Sequence, residues 1–224
     1  MIFDMFFLPF SLVIFILLIL LLPALFVLFQ IGVIGIAFQK LGMTPTTGFM
    51  FFLFSLIGSA VNIPIQEKTH SVPVEMDIPE FYQFWFGIKP KMLEKQVIAL
   101  NLGGCILPVL LSFYLLLHAP LLPVLVSTII MTIVSKVLSR PVPGIGIALP
   151  AFIPPIISAI LALILAPQSA PVVAYISGVL GVLIGADLLN LSKLTKVGHG
   201  IMSIGGAGVF DGIYLVGIIA VLIA

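Results

Sequence analysis

Charge is what this sequence has least of. Only 8% of its 224 residues are Asp, Glu, Lys or Arg, against about 25% in a soluble domain. With 62% apolar residues and a mean hydropathy of +1.38, the solvent around most of the chain is lipid. A net charge of +1 offers nothing to nucleic-acid phosphates. The lone cysteine, Cys105, excludes an intrachain disulfide and a Cys-rich metal site. The three histidines, His70, His118 and His199, share no ligand spacing, so neither a metal nor an organic cofactor is expected. The N-terminus lacks a basic stretch and its apolar run is too long for a cleavable signal peptide.

Acids are scarcer still inside the apolar stretches. Of eight acidic residues, Asp4 is terminal, and Glu67, Glu75, Asp77, Glu80 and Glu94 share one polar region. Only Asp187 and Asp211 interrupt apolar sequence, in Gly185-Ala186-Asp187-Leu188-Leu189-Asn190 and Gly205-Gly206-Ala207-Gly208-Val209-Phe210-Asp211-Gly212. A carboxylate at membrane depth is costly, faces a cavity or a partner, and is a functional candidate by default.

The length accommodates roughly seven spans of about 20 residues. The expected fold class is therefore all-α: a polytopic transmembrane helical bundle of about seven spans, with residues 1–224 as one integral membrane domain. Residues 5–38 read as one long tilted helix kinked near Pro23; two shorter passes would leave almost no turn. Span two is Thr46 to Val61, with Ser55, Gly58 and Ser59 as a small-residue packing face. In 63–95, Ile63 and Ile65, then Val72, Val74, Met76 and Ile78, alternate at strand period. A small hairpin turning near Thr69-His70-Ser71 is expected there. The aromatic stretch Pro79 to Phe86 reads as an interfacial anchor, with a substrate-gripping lid as the alternative. Span three is Gln96 to His118 and span four Ala119 to Leu138. Ser139 to Pro155 holds five prolines and cannot be a continuous helix. It reads as irregular backbone entering the membrane, tolerated only against protein or a wet cavity. Span five ends near Ala166, span six is Pro171 to Leu191, and span seven ends at Ala224.

With seven spans, Lys68, Lys89, Lys91, Lys95, Lys136, Arg140, Lys193 and Lys196 share one face and Lys40 stands alone on the other. That asymmetry makes the first face, with the N-terminus, cytoplasmic and puts the C-terminus outside.

Asp187 lies six residues before Lys193, about 9 Å below that face along a helix. Counted back from the C-terminus across a ~30 Å core, Asp211 lies at about 10 Å. The two carboxylates can thus face each other. A helix from Gly200 would sink Asp211 too deep, so Gly198 to Gly208 are expected as an extended entry, with the helix beginning near Asp211. Backbone bare of side chains at Gly205, Gly206 and Gly208 suits a docked extended peptide. Asn190, Arg140, Pro150, Asn62 and Asn101 are the remaining expected substrate contacts. Two close carboxylates share a proton, one acting as base on water and the other as acid on a carbonyl. The structural alternatives are that Asp187 bonds Asn190 at i+3 and that Asp211 caps the last helix.

Asn62-Ile63-Pro64, the 140–155 segment, GADLLNL and GGAGVFDGI together resemble a prokaryotic integral membrane protein family catalogued as a domain of unknown function. A weaker resemblance is to intramembrane aspartyl proteases: presenilin, signal peptide peptidase and the prepilin peptidases. It implies that Asp187 and Asp211 are the catalytic pair, with Gly206 and Gly208 as the Gly-x-Gly glycines. Here Val209 and Phe210 intervene before the second acid, and Ala148-Leu149-Pro150 is a scrambled, displaced Pro-Ala-Leu motif. The leading expectation is an intramembrane aspartyl protease-like hydrolase. The alternatives are a proton- or cation-coupled transporter or channel using the same acids, and a non-catalytic scaffold. The expected partners are the lipid bilayer and a membrane-embedded peptide or small transported solute, not a nucleic acid. Oligomeric state is left open.

Overall fold

A computed structural model describes residues 31–73, 91–142, 146–191, 200–206 and 212–224, with Ile19, Leu21 and Leu28 besides. The chain is mostly helical with a small strand element. Helices α1 (Ile31–Lys40) and α2 (Pro45–Gly58) meet at a 112° bend. Gly42, at φ 80, and the cap of Thr44 on Thr47 N–H make that bend. Strands β1 (Asn62–Pro73) and β2 (Lys91–Asn101) follow. A π-turn at Leu102–Ile106 leads into α3 (Leu107–Leu116) and then α4 (Leu121–Leu138). Next come β3 (Arg140–Val142), β4 (Gly146–Ala148), α5 (Ile153–Leu165) and α6 (Ala170–Val182). A second π-turn, Leu183–Asp187, and a 3-10 turn, Leu188–Asn190, extend α6. Strand β5 (Gly200–Ile204) and helix α7 (Gly212–Ile223) close the chain.

Helix α6 is the axle. Residues around its whole circumference are buried, Tyr175 and Ile176 among them, as befits a helix enclosed by others. Its glycines set the crossings. A side chain at Gly181 would run into Met131 of α4, and one at Gly185 into Thr132 and Ser135. The ascending pairs make α4 and α6 parallel. Gly178 lies under Val216 of α7, and Gly217 under Tyr175 and Val179. This is the small-residue packing that lets helices approach without a hydrophobic drive.

Contacts also fix direction. Lys136, in the last turn of α4, donates to the carbonyl of Leu189 and to Asn190 Oδ1 (2.7 Å) at the end of α6. At the opposite end, Pro120, Pro123 and Leu165 to Ser169 line one cleft, so the α3–α4 and α5–α6 turns lie together. Lys40 Nζ reaches the carbonyls of Val221 and Leu222 at 3.3 and 3.1 Å, which places the α1–α2 bend there too. Helices α2, α4 and α6 thus run toward one end, and α3, α5 and α7 away from it. All the described strands gather at that one end, the strand end.

The outer faces are apolar. On α4, Leu121, Leu125, Ile129, Ile133 and Val137 are exposed while Val124, Ser127, Met131 and Ser135 are buried. An exposed apolar stripe of this extent marks a lipid-facing surface.

Seven spans are not supported. Among the described residues two helices, Leu121–Leu138 and Pro167–Asn190, are long and apolar enough to cross a membrane, or three if the bent pair counts as one span. The apolar runs are there, but backbone breaks divide them. The expected third span begins as strand β2 and a π-turn, leaving ten residues of α3. The second and fifth stop at 14 and 13 residues. Most of the expected first span, and its kink near Pro23, lie outside the described residues, as does the aromatic stretch 79–86.

Two local expectations also need correction. Strand β1 does not turn near Thr69-His70-Ser71. It continues to Pro73, antiparallel to β2, from Asn62 opposite Asn101 to Pro73 opposite Lys91. Pro64 is accommodated because β1 is an edge strand and slips register between Pro64 and Gln66. The 140–155 segment is not simply irregular: Arg140 pairs with Ala148 and Val142 with Gly146 in a tight two-stranded hairpin. Pro154 and Pro155 then sit in the first turn of α5, where a missing N–H costs least.

Candidate functional site

Strand β5 joins β2 in parallel, Gln96 opposite Gly200 to Leu100 opposite Ile204, giving the order β1-β2-β5. Residues 200–204 are therefore extended, as the glycine-rich sequence suggested, and the last helix is described from Gly212; Gly198, Gly208 and the entry to that helix lie outside the described residues. The strand partner was not foreseen. Met202 and Ile204 are buried, and β5 delivers Gly205 into the helical bundle.

Gly205 is where the elements meet. Its φ of +83° is open to glycine at little cost. A Cβ there would lie 2.5 Å from Cys105 Cβ, and the Gly205 carbonyl presses on Gly104 where a side chain would be. Its N–H donates to Asp187 Oδ2 at 3.0 Å. Asp187 is half-buried at the last position of the α6 π-turn, a distortion often found at functional sites.

Behind Gly205 is a polar knot. Asn62 Oδ1 accepts from Asn101 Nδ2 at 3.1 Å and from Ser203 Oγ at 2.5 Å. Asn101, fully buried, also donates to the Ser59 carbonyl (2.7 Å) and accepts the Gly104 N–H (2.7 Å). It thereby caps the π-turn that carries Gly103 and Gly104. Ser55 donates to the Gly103 carbonyl at 2.5 Å, and Gly58 packs on Gly103. The small-residue face expected on the second helix makes these contacts.

Asn190 stands in a separate node. Its Nδ2 donates to Ser139 Oγ (2.7 Å) and to the Ala186 carbonyl (2.9 Å), while Lys136 donates to its Oδ1. Arg140 and Pro150 come together elsewhere, lining a groove at the end of α4 with Val137, Leu138, Ala148 and Leu149. Of the expected site residues, then, Asp187 joins Gly205, with Gly206 next in the chain at φ +99°. Asn62 joins Asn101, and Arg140 joins Pro150. Gly208 and Asp211 lie outside the described residues, and with them the expected facing of the two carboxylates.

The register of α7 bears on that expectation. With Val216 against Gly178, Gly212 stands about 6 Å nearer the strand end, level with Val182. Asp187 is about 7.5 Å further along α6. Sequence reasoning missed Ser203, Ser139 and the bridging role of Lys136. For Ser203 the signal was strand-favouring Ile201-Met202-Ser203-Ile204 between glycines; for Lys136 there was none beyond its charge.

No curated protein and no solved structure matches the chain. Residues 56–223 match a family described as protein of unknown function (DUF1614). The matched region holds Asn62-Ile63-Pro64, the 140–155 segment and both aspartate motifs, and on this match the chain belongs to that family.

Proposed function

We propose that this chain is an intramembrane aspartyl protease-like hydrolase with Asp187 and Asp211 as its catalytic pair. The observation that carries the reading is the hydrogen bond from Gly205 N–H to Asp187 Oδ2, at the point where edge strand β5 enters the bundle. An acid tied to the end of an edge strand is placed to act on a peptide that adds to that edge as a further strand. Asp211 comes one residue before Gly212 in sequence, and Gly212 lies about 7.5 Å short of the level of Asp187.

In this reading one carboxylate takes a proton from water, and the water oxygen bonds to the scissile carbonyl carbon. The other carboxyl gives its proton to the carbonyl oxygen. The tetrahedral intermediate then collapses, the C–N bond breaks, and the leaving nitrogen takes a proton from the pair. No metal is invoked. The strand end faces the cytoplasm, because Lys68, Lys91, Lys95, Lys136 and Arg140 belong to its elements while Lys40 lies at the opposite end. Segments too short to cross alone complete the bundle as broken spans.

The test is cleavage of a membrane-embedded reporter peptide in proteoliposomes. Wild type cuts it, and Asp187→Asn and Asp211→Asn each abolish cutting. Cleavage that survives Asp187→Asn refutes the reading. Ion or solute flux lost in the same two variants, with no cleavage by wild type, replaces it with transport.

A further inference from the structure

The Arg140 groove is independent of the aspartate site, and its chemistry is of another kind. Its volume is ≈ 380 Å³, and its lining joins the exposed Arg140 to Val137, Leu138, Ala148, Leu149 and Pro150, with no acidic residue among the described residues. The β3–β4 hairpin fixes the Arg140 backbone opposite Ala148. Lys136, one turn before, is engaged with Asn190 and Leu189.

Depth and continuity identify an occupant. Helix α4 has 18 residues, about 27 Å, close to the ~30 Å hydrocarbon core. Arg140, two residues past its end, therefore stands at headgroup level. Below it the exposed stripe of Ile129, Ile133 and Val137 runs down the lipid-facing side of α4 into the groove. A planar guanidinium above an apolar track matches a phosphate above an acyl chain. We propose that this groove is a binding site for one anionic phospholipid, its head-group phosphate on Arg140 and an acyl chain along Ile133 and Val137.

Native mass spectrometry of the full chain, released from nanodiscs of equimolar phosphatidylglycerol and phosphatidylcholine, tests it. Wild type retains one phosphatidylglycerol in preference to phosphatidylcholine. Arg140→Gln lowers that preference about fivefold, the worth of one basic residue near an anionic surface. Arg140→Lys keeps the charge without the fork and falls between. Glycerol phosphate, which has the head group but no acyl chain, does not displace the lipid. Equal retention of the two lipids by wild type overturns the proposal without any variant. So does an unchanged preference in Arg140→Gln, or displacement by glycerol phosphate.

Discussion

Replacing Gly205 with alanine tests the junction on which the site depends. At φ +83° the new side chain meets a left-handed backbone penalty of roughly 1–2 kcal/mol. Its Cβ would lie 2.5 Å from Cys105 Cβ and 2.7 Å from Cys105 N. The second neighbour is backbone, so the π-turn itself must shift, and overpacking of this kind costs about 1–3 kcal/mol. The shift also strains the Gly205 N–H bond to Asp187, a carboxylate acceptor worth about 1.5–3 kcal/mol. Gly42 is the control: its φ is +80°, but nothing lies within 4 Å of a Cβ there. Gly42→Ala meets the conformational penalty alone, whereas Gly205→Ala loses roughly 3–6 kcal/mol. Cys105 is the chain's lone cysteine and is buried against Gly205, so thiol labelling in detergent reads the loss directly. The labelling rate rises two to four powers of ten in Gly205→Ala, on the order expected for that energy, and less than about thirtyfold in Gly42→Ala. Equal rates in the two variants would refute the argument that crowding at Cys105 holds this junction.

Three further outcomes follow from the same contacts. Asp187→Asn keeps an acceptor for the Gly205 N–H, so its melting temperature stays near wild type. Asp187→Ala leaves that donor unsatisfied and loses about 1–3 kcal/mol; equal melting of the two variants would show that the bond does not matter. Asn101→Ala strips one acceptor and two donors from the polar knot and costs about 3–5 kcal/mol in detergent-denaturation assays; a loss under about 1 kcal/mol would count against the knot. Gly185→Leu drives a side chain into Thr132 and Ser135, and separates α4 from α6. Cysteines placed at Lys136 and Leu189 in a Cys105→Ala background then cross-link more slowly, and an unchanged rate would count against the glycine-set crossing.

Much of this arrangement is legible in the sequence. Asp187 stood out because an acid within apolar sequence has few cheap explanations, and the glycines from Gly200 to Gly206 announced extended backbone. The Leu121–Leu138 helix follows its apolar run closely. The sheet was harder. Val97-Ile98-Ala99-Leu100 is a short continuous apolar run, which periodicity cannot assign to strand or helix. What decides it is pairing with Ile63 and Pro64 on one side and Ile201 to Ile204 on the other, partners far away in sequence. Hydropathy also counts apolar residues and not the bonds between them, so it merged β2, the π-turn and α3 into one span. The Asn190 node escaped for a similar reason: the partners of a buried amide depend on which helices cross, and glycines at 181 and 185 set that crossing.

The junction at Gly205 also weighs on which chemistry suits the site. Gly58, Gly103, Gly104 and Gly205 bring backbone against side-chain-free backbone, so the position of Asp187 relative to β5 is set by main-chain contacts and a buried amide. Such a site is stiff, and stiffness favours reaction with a strand docked in one geometry. Alternating access needs one group of helices to rock against another around the bound solute. At this junction any such rocking of α6 against β5 would break the Gly205–Asp187 bond, and any movement of α2 against α3 would break the Ser55–Gly103 bond. The fixed geometry therefore favours the proposed hydrolysis over transport, and a wild-type chain that carries ions or solute in liposomes without cleaving a peptide would undo that preference.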